Sequence, residues 1–163
     1  MGTYYRNAEQ FLDKIDKGVW VEIGTERGEG STRFFAGLAK DRATKFYGVD
    51  AMADQIEKST KLLEVDGKLP DHIELVHALG EEFLEKLASE IGDDRVSLVY
   101  LDNFDWDYWL GIQEEAFVAG VKKRYVDEMN IEMTNLNSQR AHLLQAMWLN
   151  TISADNCLVI CDD

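Results

Sequence analysis

Val21-Glu22-Ile23-Gly24-Thr25-Glu26-Arg27-Gly28-Glu29-Gly30-Ser31-Thr32 decides how the chain is read. An apolar run enters it and an amphipathic segment, Thr32-Phe35-Leu38-Ala39, leaves it. Between them lies Glu-x-Gly-x-x-x-Gly-x-Gly. Glycines at a strand-to-helix bend let the backbone turn tightly and approach a ligand that any Cβ would push away, at a helix N-terminus whose amides point outward.

Working outward, short apolar runs that close on a small or acidic residue recur at nearly even spacing: Val19 to Gly24, Phe46 to Asp50, Ile73 to Ala78 and Val96 to Asp102. A fifth, Cys157 to Asp162, follows later. Helical periodicity fills the gaps, as in Phe83-Leu84-Leu87-Ala88-Ile91. Strands alternating with helices predict right-handed parallel βαβ units. The expected fold is α/β: a doubly wound, Rossmann-like, mostly parallel sheet of about five strands with helices on both faces. The 163 residues fit one domain. Ala8 to Ile15 reads as an opening helix over the sheet edge or the mouth of the bend. Residues 113–135 read as a helical insertion before a crossover helix with Ser138 as N-cap. Such an insertion near strand ends serves either as a lid over substrate or as a packing helix or oligomer contact.

The composition narrows the function classes. Seventeen basic against 31 acidic residues leave a net charge of −14, which repels a phosphate backbone and an anionic membrane surface. The one dense basic run, Lys122-Lys123-Arg124, reads as a solvated helix face. Nucleic acid and membrane are excluded as first partners, and a small-molecule substrate is expected. No stretch has the roughly 20 apolar residues of a membrane span, and MGTYYRNAEQ lacks the plan of a signal peptide, so a cytoplasmic location is expected. Cys157 and Cys161 lie four apart in an apparent strand, about 13 Å by the rise per residue. That is too far for a disulfide, and both read as buried small hydrophobes.

Phosphate-binding versions of the bend each fail on a residue. A Walker loop lacks its lysine, because Ser31 follows Gly30. A dinucleotide fingerprint starting at Gly28 would place Arg33 where its third glycine belongs, and would set Glu26 and Glu29 against a pyrophosphate. A cationic ligand suits the loop better.

The segment resembles motif I of the class I S-adenosylmethionine-dependent methyltransferases, Glu/Asp-x-Gly-x-Gly-x-Gly in its commonest form, with the first step stretched. The resemblance implies that Glu22 serves the methionyl ammonium and that Gly24, Gly28 and Gly30, with Ser31, make room for S-adenosylmethionine. It also implies that Asp50, at the end of Phe46-Tyr47-Gly48-Val49-Asp50, holds the ribose hydroxyls, with Met52 as a wall of the adenine pocket. Ala78 and Leu79, in His77-Ala78-Leu79-Gly80-Glu81, would touch the adenine. Taken alone, Asp50 reads equally as a helix cap, and His77 as a packed, hydrogen-bonded core histidine.

Asp102 ends the fourth run, and Asp162-Asp163 ends the fifth. The arrangement resembles the metal-dependent O-methyltransferases of the catechol type, with Asp163 where that family has Asn. It implies a Mg2+ held by Asp102, Asp162 and Asp163, and Asp102 as the catalytic carboxylate for methylation of a small-molecule oxygen. Capping or solvated carboxylates are the alternative. Asp102 to Tyr108 also resembles bacterial methyltransferases acting on small molecules or sugars. Trp106, Tyr108 and Trp109 read as packing beneath the insertion or as an aromatic substrate wall. The family's sheet continues through a helix and an antiparallel hairpin, whereas this sequence stops at Asp163. The resemblance therefore covers about two thirds of a full domain. Either the sequence is a fragment of a longer protein, or the exposed sheet edge invites a homo-oligomer, or a non-catalytic cofactor-binding or assembly module stands beside the enzyme reading. A nicotinamide-dependent oxidoreductase is the third reading.

Overall fold

A computed structural model describes residues 4–102 and 114–161. The sheet is five-stranded in the order β3-β2-β1-β4-β5, built from β1 (Val19–Ile23), β2 (Phe46–Asp50), β3 (Ile73–His77), β4 (Val96–Leu101) and β5 (Ser153–Cys161). All four strand pairs are parallel. The helices are α1 (Ser31–Asp41), α2 (Ala53–Leu63), α3 (Gly80–Glu90), α4 (Glu115–Met129) and α5 (Asn135–Ile152), after an opening 3-10 helix, Tyr4–Phe11. This is the expected Rossmann-like α/β fold. Among the described residues no helix is long and apolar enough to cross a membrane.

Alternation along β1 explains the two layers, because successive side chains of a strand point to opposite faces. Val19, Val21 and Ile23 join Leu84, Leu87, Leu149 and Ile152 of α3 and α5. Trp20 joins Phe35 and Ala39 of α1 and Ala8 and Leu12 of the N-terminal segment. Glu22 belongs to that second, α1-facing set by parity. The chain winds from β1 out to β3 and then returns through β4 to β5, so the winding reverses between β1 and β4. The carboxyl ends of strands flanking such a reversal form the ligand crevice of doubly wound sheets. Here those ends carry Gly24 and Asp102, with Asp102 N–H donating to the Ile23 carbonyl at 2.9 Å.

Several elements depart from the sequence expectation. The opening helix is 3-10 and begins at Tyr4. β5 starts at Ser153, four residues before the apolar run. Thr134 caps α5, accepting from Asn137 N–H at 3.2 Å, while Ser138 is buried inside the helix. Neither cysteine forms a disulfide, but Cys161 is exposed and Cys157 half-buried, so Cys161 is not a core residue. His77 is also exposed, its ring nitrogen 3.1 Å from the Ala51 carbonyl.

Candidate functional site

β1 delivers Glu22 to the switch point with no solvent exposure, and neither carboxylate oxygen has a hydrogen-bond partner among the described residues. The hydroxyls that bear on it belong to Ser31 and Thr32 in the first turn of α1. Thr32 turns its proton elsewhere, donating to the Thr25 carbonyl at 3.2 Å. Burial pushes the Glu22 carboxyl up to about 8; the two hydroxyls pull it down, and the charges of Asp102 and Asp50 push it further up. A buried, unpaired carboxylate costs several kcal/mol unless it is neutralised. At neutral pH the group is therefore held protonated.

Above it α1 opens without a side-chain cap: Gly30 occupies the N-cap position, and no acidic residue lies in the first turn. An uncapped first turn leaves amide donors for an anion. The uncapped turn and the buried acid thus present donors and a negative charge side by side, a pattern complementary to a zwitterion.

The bend between them is tightly knit. Gly28 N–H donates to the Thr25 carbonyl at 2.8 Å and closes a turn over the three residues that stretch the motif. Glu26 takes a left-handed conformation at φ 49°. Its N–H donates to Asp50 Oδ2 at 2.9 Å, and Ser59 Oγ of α2 donates to its carbonyl at 3.3 Å.

The glycines of the bend also meet the packing of the chain itself. A Cβ on Gly24 (φ 95°) would lie 2.1 Å from the Asp102 carbonyl oxygen, and one on Gly28 (φ 76°) would lie 3.0 Å from Ser59 Cα. At both positions the protein's own atoms stand where a Cβ would, the Asp102 backbone at Gly24 and Ser59 at Gly28. Gly30 is open, with the Tyr5 ring 4.0 Å from where its Cβ would stand.

Asp50 is engaged as well. Oδ1 accepts from Met52 N–H at 2.8 Å, Oδ2 accepts from Glu26 N–H, and Thr25 Oγ1 is 3.4 Å from the same oxygen. The carboxylate ties the β1–α1 bend to the start of α2. Burial raises its pKa, against the downward pull of those donors. Since a carboxylate offers about four lone-pair sites, capacity remains for a further donor such as a sugar hydroxyl. Met52 is buried and is the N-cap residue of α2. Ala78 and Leu79 are half-buried, and Ala78 N–H donates to the Asp50 carbonyl at 3.0 Å. The structure thus gathers Glu22, the glycine bend, Asp50, Met52, Ala78 and Asp102 at one end of the sheet.

Asp102 is exposed. Asp162, Asp163, Trp106, Tyr108 and Trp109 lie outside the described residues. Among the described residues no three His, Cys, Asp or Glu side chains are grouped to share a metal ion.

The sequence reads Arg124 only as part of a solvated helix face and Tyr125 only as part of the helical insertion. Arg124 of α4 pairs with Asp54 at the start of α2, 2.6 Å apart, and with Glu128 at 2.9 Å. The adjacent Tyr125 is mostly buried, which raises its phenol to about 12, and the charge of Asp50 adds to that rise. Only the fold brings α4 beside the start of α2, so spacing along the chain could not have found them.

No family model matches the chain, and no curated protein does. Among solved structures it is similar to a SAM-dependent methyltransferase from Thiobacillus denitrificans in complex with S-adenosyl-L-homocysteine, at 13% identity and a TM-score of 0.46. The similarity covers 99% of this chain and 48% of that one, so the chain spans about half the length of that protein.

Proposed function

We propose that the chain binds S-adenosylmethionine at the β1–α1 bend and serves methyl transfer to an oxygen of a small molecule. The observation that carries this reading is Glu22: fully buried, without a hydrogen-bond partner among the described residues, and pushed up to about 8. A ligand ammonium would neutralise it, and the uncapped first turn of α1 would receive the carboxylate of the same amino-acid end. The cofactor supplies a methyl group made electrophilic by its sulfonium. Asp50 would then accept the ribose hydroxyls on its remaining lone pairs. Asp102, exposed at the same strand ends, would take the acceptor's proton. A nicotinamide dinucleotide fits poorly, because the exposed Glu26 and Glu29 would face its pyrophosphate.

Calorimetric titration with S-adenosylhomocysteine tests the cofactor assignment, with NADH as comparison. Saturable binding of the first that Glu22→Gln removes is expected; absence of binding by folded protein, or binding of NADH alone, overturns it. Turnover with small-molecule hydroxyl acceptors, with and without a chelator, then separates transfer from binding alone and tests whether a metal held by Asp102, Asp162 and Asp163 takes part.

A further inference from the structure

α4 is shallowly held. None of its residues is fully buried, and its half-buried apolar and aromatic positions, Val118, Val121, Tyr125 and Met129, recur three or four apart as one stripe. The rest of the helix is largely solvated, with Phe117 48% and Val126 46% exposed. An ion pair, Arg124 Nη2 to Asp54 Oδ1 at 2.6 Å, joins it to the start of α2.

Asp54 lies in the first turn of α2, two residues beyond the Met52 N–H that Asp50 Oδ1 accepts at 2.8 Å. The pair therefore anchors α4 against the β2–α2 junction. Tyr125, next to Arg124 and on the inward stripe, is carried to the same junction. Its burial among exposed neighbours, and the reach of the Asp50 charge to its phenol, agree with that placement. An exposed surface tyrosine would sense neither.

We propose that Tyr125 is the outer wall of the nucleoside half of the site, closing over the sugar at Asp50, and that the Arg124–Asp54 ion pair positions it there. The proposal rests on the cofactor reading above and deepens it: α4 determines specificity for the nucleoside moiety, while Glu22 serves the amino-acid end. A phenol suits the place chemically. Its ring covers the apolar face of a sugar or base, and its hydroxyl can hydrogen-bond to a sugar oxygen.

The test uses the full chain and two probes: S-adenosylhomocysteine, which has both ends, and 5′-methylthioadenosine, which lacks the amino-acid end. Tyr125→Ala is expected to weaken both probes by about tenfold, the scale of losing one well-packed aromatic contact. Glu22→Gln is expected to weaken only the first. Arg124→Gln and Asp54→Asn should each weaken both probes severalfold. Their combination should be no worse than either alone, as expected for one interaction; Arg124→Lys should recover part of the loss. Lys123→Gln, on the exposed face of α4, is the control and should bind as the unmodified chain does. Thermal unfolding of each variant checks that the fold persists.

If the unmodified chain binds S-adenosylhomocysteine while Tyr125→Ala matches it within twofold, the wall is wrong and the cofactor reading stands. A loss confined to S-adenosylhomocysteine places Tyr125 at the amino-acid end and also overturns the proposal. If the unmodified chain binds neither probe, the cofactor reading fails and the wall falls with it.

Discussion

Replacing Glu22 by glutamine removes the titration of one buried group and preserves its shape, so the energetic consequence can be worked from the structure. The carboxyl goes from an ordinary 4.5 to about 8 on folding. The folded chain therefore holds a proton that the unfolded chain releases between those two values, and native stability falls as pH rises through that window. A tenfold change in proton affinity corresponds to about 1.4 kcal/mol, so the loss between pH 5 and pH 7 is about 2 to 3 kcal/mol. The Gln variant does not titrate and escapes this loss. At pH 5 both folded side chains are neutral and the two proteins should unfold nearly alike. By pH 7 the variant should have gained on the unmodified chain by about 2 to 3 kcal/mol, a rise in Tm of about 5 to 10 °C for a chain of this size. Urea or thermal unfolding of ligand-free protein at pH 5, 6, 7 and 8 reads it directly. A stability gap that stays constant across that range would refute the buried, unpartnered carboxylate and with it the cation-seeking site. A variant that is more stable yet unable to bind S-adenosylhomocysteine is the expected signature of strain kept for function.

Three further outcomes follow from the same geometry. If the ligand cation binds only ionised Glu22, S-adenosylhomocysteine affinity should rise about fiftyfold from pH 6 to pH 8 and binding at pH 7 should release close to one proton, read as a dependence of the calorimetric heat on buffer ionisation enthalpy; heats independent of buffer would contradict it. Gly24→Ala sets a Cβ against the Asp102 carbonyl at a φ of 95° and should cost several kcal/mol in urea unfolding, whereas Gly37→Ala meets open space on helix α1 and should be stabilising by about 0.5 to 1 kcal/mol. Asp50→Ala leaves the N–H groups of Glu26 and Met52 without their acceptor and should destabilise the ligand-free chain by about 1 to 3 kcal/mol; unchanged stability would make Asp50 purely a ligand group.

Strand identity was legible because each strand is a short apolar run closed by a turn residue, and β2 falls on the residues the pattern names. The start of β5 was not. Ser153-Ala154-Asp155-Asn156 is poor in β-branched and aromatic residues, the types that favour strands. Its extended form is supported by a partner 140 positions away: Asn156 N–H and Nδ2 donate to the two oxygens of Asp16 at 2.9 and 3.1 Å, and Asp16 N–H donates back to the Asn156 carbonyl at 3.1 Å. These bonds hold Asp16 below the usual carboxylate range. Local propensity carries no trace of such a contact. The α5 cap failed for a nearer reason, since Thr134 and Ser138 are both hydroxyl residues and only the backbone turn decides between them.

For the site, the sequence identified which residues gather but not what occupies each of them. Glycines and carboxylates at strand ends follow from the topology, and the topology follows from the pattern. Which side of a glycine faces a neighbour is a tertiary fact, and here a Cβ would meet Asp102 at Gly24 and Ser59 at Gly28. Asp50 likewise has three protein donors. The same packing that satisfies those groups leaves Glu22 out. Thr32 turns its hydroxyl to Thr25, and Gly30 brings no capping oxygen to α1. In a bend where most polar groups have found a protein partner, the one that has none among the described residues is acidic, buried and beside uncapped amides. That residual imbalance, rather than the glycines, is the feature on which the proposed recognition of a positively charged ligand rests.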